Sequence, residues 1–283
     1  MAGWVMETFL SVVCDNTVGR SDFLGEHGWS CLIERGSERY LFDTGQGLTI
    51  SHNLKSLEKS LDGLSLILIS HGHYDHTGGL KWVLTEAKGA QIVAHPGIFE
   101  RHSVKDVHGS GKIRYIGCPF TRRELEDLGA DFRFFHKTVE VCPGMWFITG
   151  IERNPKKVPH DPRLVIQSGD EIAPDLVADD SSLLIDTDQG LVLIMGCAHS
   201  GILNLMDYVQ DAMGINTLFG VMGGTHLAFS DSHILSQVIE KLEALSVQLI
   251  GVSHCTGFEA AAGIYNYFPT RVSWASAGKS FRI

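Results

Sequence analysis

Ser70-His71-Gly72-His73-Tyr74-Asp75-His76-Thr77-Gly78-Gly79 follows directly on residues 64–69, a run apolar at every position but Ser65. A strand that is apolar on both faces belongs inside a sheet covered on both sides. The histidines therefore emerge where a buried strand stops. Three imidazoles and a carboxylate fall within six positions, a donor set that suits zinc, iron or manganese. Such a cluster behind a buried strand points to metal binding rather than to a solvated loop. Directly after the strand the chain is expected to turn rather than to form a helix. His71 and His73 then reach one ion while Asp75 and His76 face a second, and Gly72, Gly78 and Gly79 give the backbone room to bend.

Upstream, residues 8–14 read as a strand ending at the turn pair Asp15-Asn16. Residues 29–34 and 39–42 read as a hairpin, and that second strand stops at Asp43-Thr44-Gly45. Residues 51–61 have helical spacing through Leu54, Leu57 and Leu61. Downstream, 80–88 reads as a helix and 91–94 as a short buried strand. Residues 95–137 are a more polar excursion holding one helix at 121–128, where Thr121 and Glu124 fit a capping box. Residues 139–148 return to strand character. Residues 154–162 and the acidic stretch 169–180 read as exposed loops.

The last third alternates strands and helices. A hairpin at 183–186 and 191–195 feeds Gly196-Cys197-Ala198-His199, and a helix is expected at 202–213. A strand at 217–221 leads to Gly223-Gly224-Thr225-His226, and an amphipathic helix at 231–245 follows. A strand at 248–252 leads to Ser253-His254-Cys255. One event thus recurs: a buried strand ends, and Asp43, His71, His199, His226 or His254 follows within a few residues. In layered α/β proteins, loops at strand ends converge on one crevice. The whole chain, 1–283, is expected to form one domain around it.

Composition narrows the function. The net charge is −10, and no basic run exceeds two residues, which argues against nucleic acid and anionic membranes as partners. No apolar run reaches the roughly 20 residues needed to span a bilayer. The N-terminus lacks the marks of a signal peptide, so a cytoplasmic location is expected. The six cysteines form no C-x-x-C pair and read as reduced thiols. A small-molecule substrate remains the expected partner, and oligomeric state is open.

The string His71-x-His73-x-Asp75-His76 after a buried strand resembles the signature of the metallo-β-lactamase superfamily. Phe42-Asp43-Thr44-Gly45 is similar to that family's upstream aspartate motif, and Ser253-His254 to its final histidine motif. Gly196-Cys197-Ala198-His199-Ser200-Gly201, Gly223-Gly224-Thr225-His226-Leu227 and His254-Cys255-Thr256-Gly257 resemble a subgroup described as dihydropterin–ribofuranosylaminobenzene phosphate synthase-like. The resemblance implies a four-layer αββα sandwich in the α/β class, with a one- or two-metal site at one edge. Two departures stand out. The turn expected to carry a third histidine is matched here by Pro143-Gly144-Met145-Trp146. The bridging aspartate after a glycine is replaced by Cys197.

With the resemblance, His71, His73 and His199 are expected on one ion, and Asp75, His76 and His254 on the other. Asp43 is expected behind the ligands, orienting a histidine ring. Cys197 is expected there too, as a small buried residue more than as a soft ligand. His27 and His226 are candidates for substrate contact. Two divalent ions, zinc before iron or manganese, would lower the pKa of a shared water from about 15.7 to near 7. Asp75 would orient the resulting hydroxide or take its proton. Hydrolysis of an ester, amide or phosphoester is the implied reaction. The subgroup implies the alternative, transfer of a dihydropterin-methyl group from its diphosphate to ribofuranosylaminobenzene phosphate.

Overall fold

The computed structural model describes residues 7–106, 111–169 and 171–283. The first six residues, His108 and Gly109 of the polar excursion, and Asp170 of the acidic stretch lie outside these. Two seven-stranded sheets form the body of the molecule. The first runs Ser280–Arg282, Thr8–Cys14, Ser30–Arg35, Glu38–Phe42, Leu66–Leu68, Gln91–Ala94, Asp131–Phe134. The second runs Val272–Trp274, Leu249–Val252, Gly220–Gly223, Gly190–Met195, Ser181–Thr187, Met145–Thr149, Val139–Cys142.

Period-two alternation decides what each strand buries. In Ser30–Arg35, Cys31 and Ile33 enter the core between the sheets, while Leu32 packs outward under helices Ile50–Ser56 and Leu80–Glu86. In Gly190–Met195, Val192 and Ile194 face the other sheet. Leu193 and Met195 lie under helices Ile202–Asp211, Ser232–Ala244 and Phe258–Tyr267. Three apolar cores therefore separate four layers, helix–sheet–sheet–helix. This is the αββα sandwich expected.

Each sheet has one parallel half. Glu38–Phe42 to Asp131–Phe134 pair in parallel, as do Gly190–Met195 to Val272–Trp274. Parallel pairing sets successive strand ends side by side. Both parallel halves deliver their C-terminal ends to the same edge of the sandwich, where Asp43, His71, His199, His226 and His254 lie.

Several expectations need correction. The polar excursion and the exposed stretch 169–180 are not irregular throughout: His102–Lys105, Ile113–Tyr115 and Glu171–Pro174 join Leu164–Ser168 in an antiparallel four-stranded sheet. The capping box at Thr121 is present, on the helix Arg122–Glu126. Residues 139–148 are two strands, because Gly144 takes a left-handed φ of 73° and turns the chain. Tyr74–Thr77 is a single helical turn with His73 as its N-cap, not an open turn. The helix expected at 51–61 ends at Ser56. Among the described residues, no helix is long and apolar enough to cross a membrane, and all six cysteines are free.

Phe147 sits in the core between the two sheets with no exposed surface. Phe147→Ala is expected to cost about 3–5 kcal/mol, the usual price of an aromatic truncated in a packed core. Urea denaturation of both proteins measures this.

Candidate metal centre

Strand Glu38–Phe42 ends at Asp43, whose φ of 60° aims its carboxylate along the sandwich edge. Asp43 Oδ1 accepts from the Ser70 backbone N–H at 2.7 Å. Its Oδ2 accepts from Ser70 Oγ and from His76 Nδ1, both at 2.7 Å. A ring that donates from Nδ1 presents the lone pair of Nε2. His76 Nε2 faces the cluster, 3.2 Å from Cys197 Sγ. Ser70 Oγ lies 2.8 Å from His71 Nδ1 and fixes that ring in the same way. His71 Nε2 then meets His73 Nδ1 at 3.0 Å, and His73 Nε2 is buried without a hydrogen-bond partner.

The second sheet supplies the facing groups. Ala198, His226 and His254 adopt left-handed φ values of 53°, 54° and 47°, a strained backbone for non-glycine residues that is typical of functional sites. His199 packs against His71 and His73, with ring centres 4.7 and 4.9 Å away, and its Nε2 has no partner. His254 is held from behind: its N–H donates to Asp15 Oδ1 at 2.8 Å, and its Nδ1 lies 2.8 Å from Asn16 Oδ1. Its Nε2 points at Asp75 Oδ2, 3.4 Å away. His27 Nε2 reaches the same oxygen at 3.2 Å from the solvent side.

Donor atoms within 4.8 Å of one another form the sets His71/His73/His199, His71/His76/Cys197, Cys197/His199/His226, Cys197/His254/Cys255 and His27/Asp75/His254. Every expected site residue thus converges on one place. Cys197 differs from its expected position. Asp43 stands behind the donor atoms, but the Cys197 sulfur is among them and belongs to three of these sets. His226 is likewise inside the cluster, with both ring nitrogens buried and unpartnered. Met145 is remote: it pairs with Ile185 at the far end of its strand, within the core between the sheets. The Pro143-Gly144-Met145-Trp146 turn therefore takes no part.

Electrostatics fit a cation. Burial holds His71 and His199 well below the ordinary histidine value, and His73 down to about 4, with help from neighbouring imidazoles. These rings are neutral at pH 7, with lone pairs free to bind a cation. Burial alone would raise Asp75, but His76, His254 and His27 outweigh it and hold the carboxylate well below its usual range. Burial would also lower His254, yet Cys255, Asp75 and Asp15 push it up to about 9. That corner of the site stabilises positive charge.

Sequence reasoning missed a second layer. His102, left without a role, is buried and packs edge-on against His73, with ring centres 5.2 Å apart. Its Nδ1 meets Asp175 at 2.6 Å and its Nε2 lies 3.6 Å from Asp179. Asp179 in turn accepts the Gly72 N–H at 2.7 Å. Asp180 is buried and holds Ser200 through its N–H and hydroxyl. The acidic stretch is therefore partly interior. Burial opposes the charge on His102, but Asp175 and Asp179 push it up to about 10.

A profile of the metallo-β-lactamase superfamily matches residues 25–201. The 7,8-dihydropterin-6-methyl-4-(β-D-ribofuranosyl)-aminobenzene-5′-phosphate synthase of Methanocaldococcus jannaschii is 31% identical over 271 residues, 92% of this chain and 90% of its own. The solved structure of Tm1679, described as a metal-dependent hydrolase of the β-lactamase superfamily, matches with a TM-score of 0.82 and 27% identity over 98% of this chain and 99% of its own. Zinc-bound PqqB from Methylobacterium extorquens shares the fold, with a TM-score of 0.58 at 12% identity over 97% of this chain and 100% of its own.

His102→Gln leaves Asp175 and Asp179 without their cation and is expected to cost about 3 kcal/mol. A pKa raised on folding stabilises fully below the unfolded value near 6.5 and loses that effect as pH rises through about 10. The difference in thermal stability between wild type and variant should therefore be largest near pH 6 and close by pH 10. An imidazole and carboxylate cluster gathered from two sheets, a matched profile and a full-length relative agree: the chain belongs to the metallo-β-lactamase superfamily.

Proposed function

We propose that this enzyme is a metal-dependent hydrolase working with two divalent transition-metal ions, zinc ahead of iron or manganese. The observation that carries the reading is the set of buried, unpartnered nitrogens on His73, His199 and His226, gathered beside the His71 ring and the ionised carboxylate of Asp75. His71, His73 and His199 would hold one ion, and Asp75, His76 and His254 the other. Cys197 is placed to touch both sets. When bound there, the ions supply Lewis acidity, so that a nearby water deprotonates near pH 7 rather than about 15.7, and a carbonyl or phosphoryl oxygen is polarised.

The side chains do the rest. Asp43, Ser70 and Asn16 fix the rings of His76, His71 and His254, so that little reorganisation is needed as charge develops. Asp75 orients water and accepts its proton. His27, more than half exposed and 3.2 Å from Asp75 Oδ2, passes that proton to solvent. His226, lining the cleft beside His199, is placed for substrate contact. An ester, amide or phosphoester bond suits this machinery.

A second reading has one specific support, the 31% identical synthase covering 92% of this chain. In that reading the same centre would stabilise a diphosphate leaving from a pterin-methyl group, and an aminobenzene acceptor would take the place of water. Supplying both reactants separates the two: a joined product supports transfer, and phosphate released without one supports hydrolysis.

Purified protein loaded with zinc should hold two ions per chain by elemental analysis, and a His71→Ala/His73→Ala variant should lose at least one. Asp75→Asn should slow turnover of an ester and phosphoester panel by about 10²–10⁴-fold, the range for a lost general base. Equal metal content in wild type and double variant would refute the proposal.

A further inference from the structure

The four-stranded sheet lays one face over the metal cluster. Arg114, Val104 and Leu164 pair across three adjacent strands, so their side chains share that face. Two positions along from Val104 comes His102, against His73. The face therefore runs from the cluster outward to Arg114. Beneath it lies a cleft of about 350 Å³ lined by His73, Asp75, Cys197, His254, Arg114 and Arg163.

Both guanidiniums are braced. Arg163 makes a paired contact with Asp161 at 2.7 and 2.8 Å and lies 4.9 Å over the Phe229 ring. Phe229 stacks on His226 at 4.6 Å. Arg114 lies 5.8 Å over the Tyr74 ring, next to Asp75 in sequence. On a chain of net charge −10, Asp161 lines the same cleft and offsets Arg163, so Arg114 together with the cations the cluster would hold supplies the local positive field that would draw in an anion.

The cleft does not end there. Asp161, Leu164, His199 and His226 also line a second cavity of about 670 Å³. Its walls are mostly apolar, built from prolines and from Val165, Ile172, Leu176 and Val177. Cavities of this size and character hold the bodies of small-molecule ligands. The two spaces meet at His199 and His226, beside the donor atoms of the cluster.

We infer that the substrate is an amphipathic anion. A phosphoryl or carboxylate group is read by Arg114 and Arg163 in the cleft, and a ring-sized apolar body fills the side cavity. The bond that reacts then lies between them, next to His199 and His226. This rests on the reading that the cluster holds cations. It adds a substrate class that the metal site alone does not specify. Guanidinium groups suit either head group, since both accept paired hydrogen bonds.

Calorimetry on the zinc-loaded protein tests it with four hydrolysis-inert probes: (1-naphthylmethyl)phosphonate, methylphosphonate, 1-naphthylacetate and 1-naphthylmethanol. One of the two naphthyl anions should bind at least about tenfold tighter than methylphosphonate and than the neutral alcohol, from ring burial and charge together. Which of the two binds tighter identifies the head group. Arg114→Ala should weaken the anions about tenfold and leave the alcohol unchanged. Leu176 is 70% exposed, so Leu176→Asp should fold normally. It should erase the naphthyl advantage while sparing methylphosphonate. Full zinc content with equal affinities for methylphosphonate and both naphthyl anions would overturn this inference alone. So would an unchanged Arg114→Ala. A chain that takes up no zinc would overturn the hydrolase proposal and this inference with it.

Discussion

A buried imidazole nitrogen must find a proton donor, a proton acceptor or a cation, because burying it unmatched costs several kcal/mol. This protein buries a cluster of them at one edge, and much of the architecture around that edge is explained by the need to satisfy them. Asp43, Ser70 and Asn16 each face a ring nitrogen on the outer side of the cluster. The inner nitrogens of His73, His199 and His226 are left facing one another's space. A hydrophobic sandwich gains nothing from that arrangement, and a bound cation would satisfy it.

The fold and the heart of the site were legible because the signals were local. An apolar run leading at once into His71-Gly72-His73-Tyr74-Asp75-His76 carries both a buried strand and its donors within a dozen or so residues. The ends of parallel strands could be read the same way, and they gave Asp43, His199, His226 and His254. Asp179 and Asp180 were not legible as site residues, whereas the turn pair Asp15-Asn16 was read at a strand end but not linked to His254. In an antiparallel pair, the start of one strand lies beside the end of its partner. Ser181–Thr187 therefore begins at the site edge because Gly190–Met195 ends there. Residues at the entrance to a strand reach the site only through that pairing, which no local pattern announces. His102 was invisible for another reason: its strand pairs with Leu164–Ser168, far along the chain, and short strands with distant partners leave little periodicity to detect. Met145 misled because a matching dipeptide, Pro143-Gly144, sits in a real turn at the wrong end of the sandwich.

The division of labour arises from these placements. The two large sheets carry the donors and hold them rigidly through packed cores. The donors named above all lie outside the small sheet and the proline-bearing loops beside it. That sheet and those loops form much of the wall of the cleft and of the side cavity. The donors are thus compressed into short motifs, and these lining residues are spread from Val104 to Val177.

The donors come from both sheets, between His71 and His254. A cation gripped by them would act as a reversible cross-link across most of the chain. Such a tie removes loop-closure entropy from the unfolded ensemble and adds its binding energy to folding. Chelation should then loosen the seam between the two sheets rather than merely empty a pocket, and resistance to proteolysis would track metal supply.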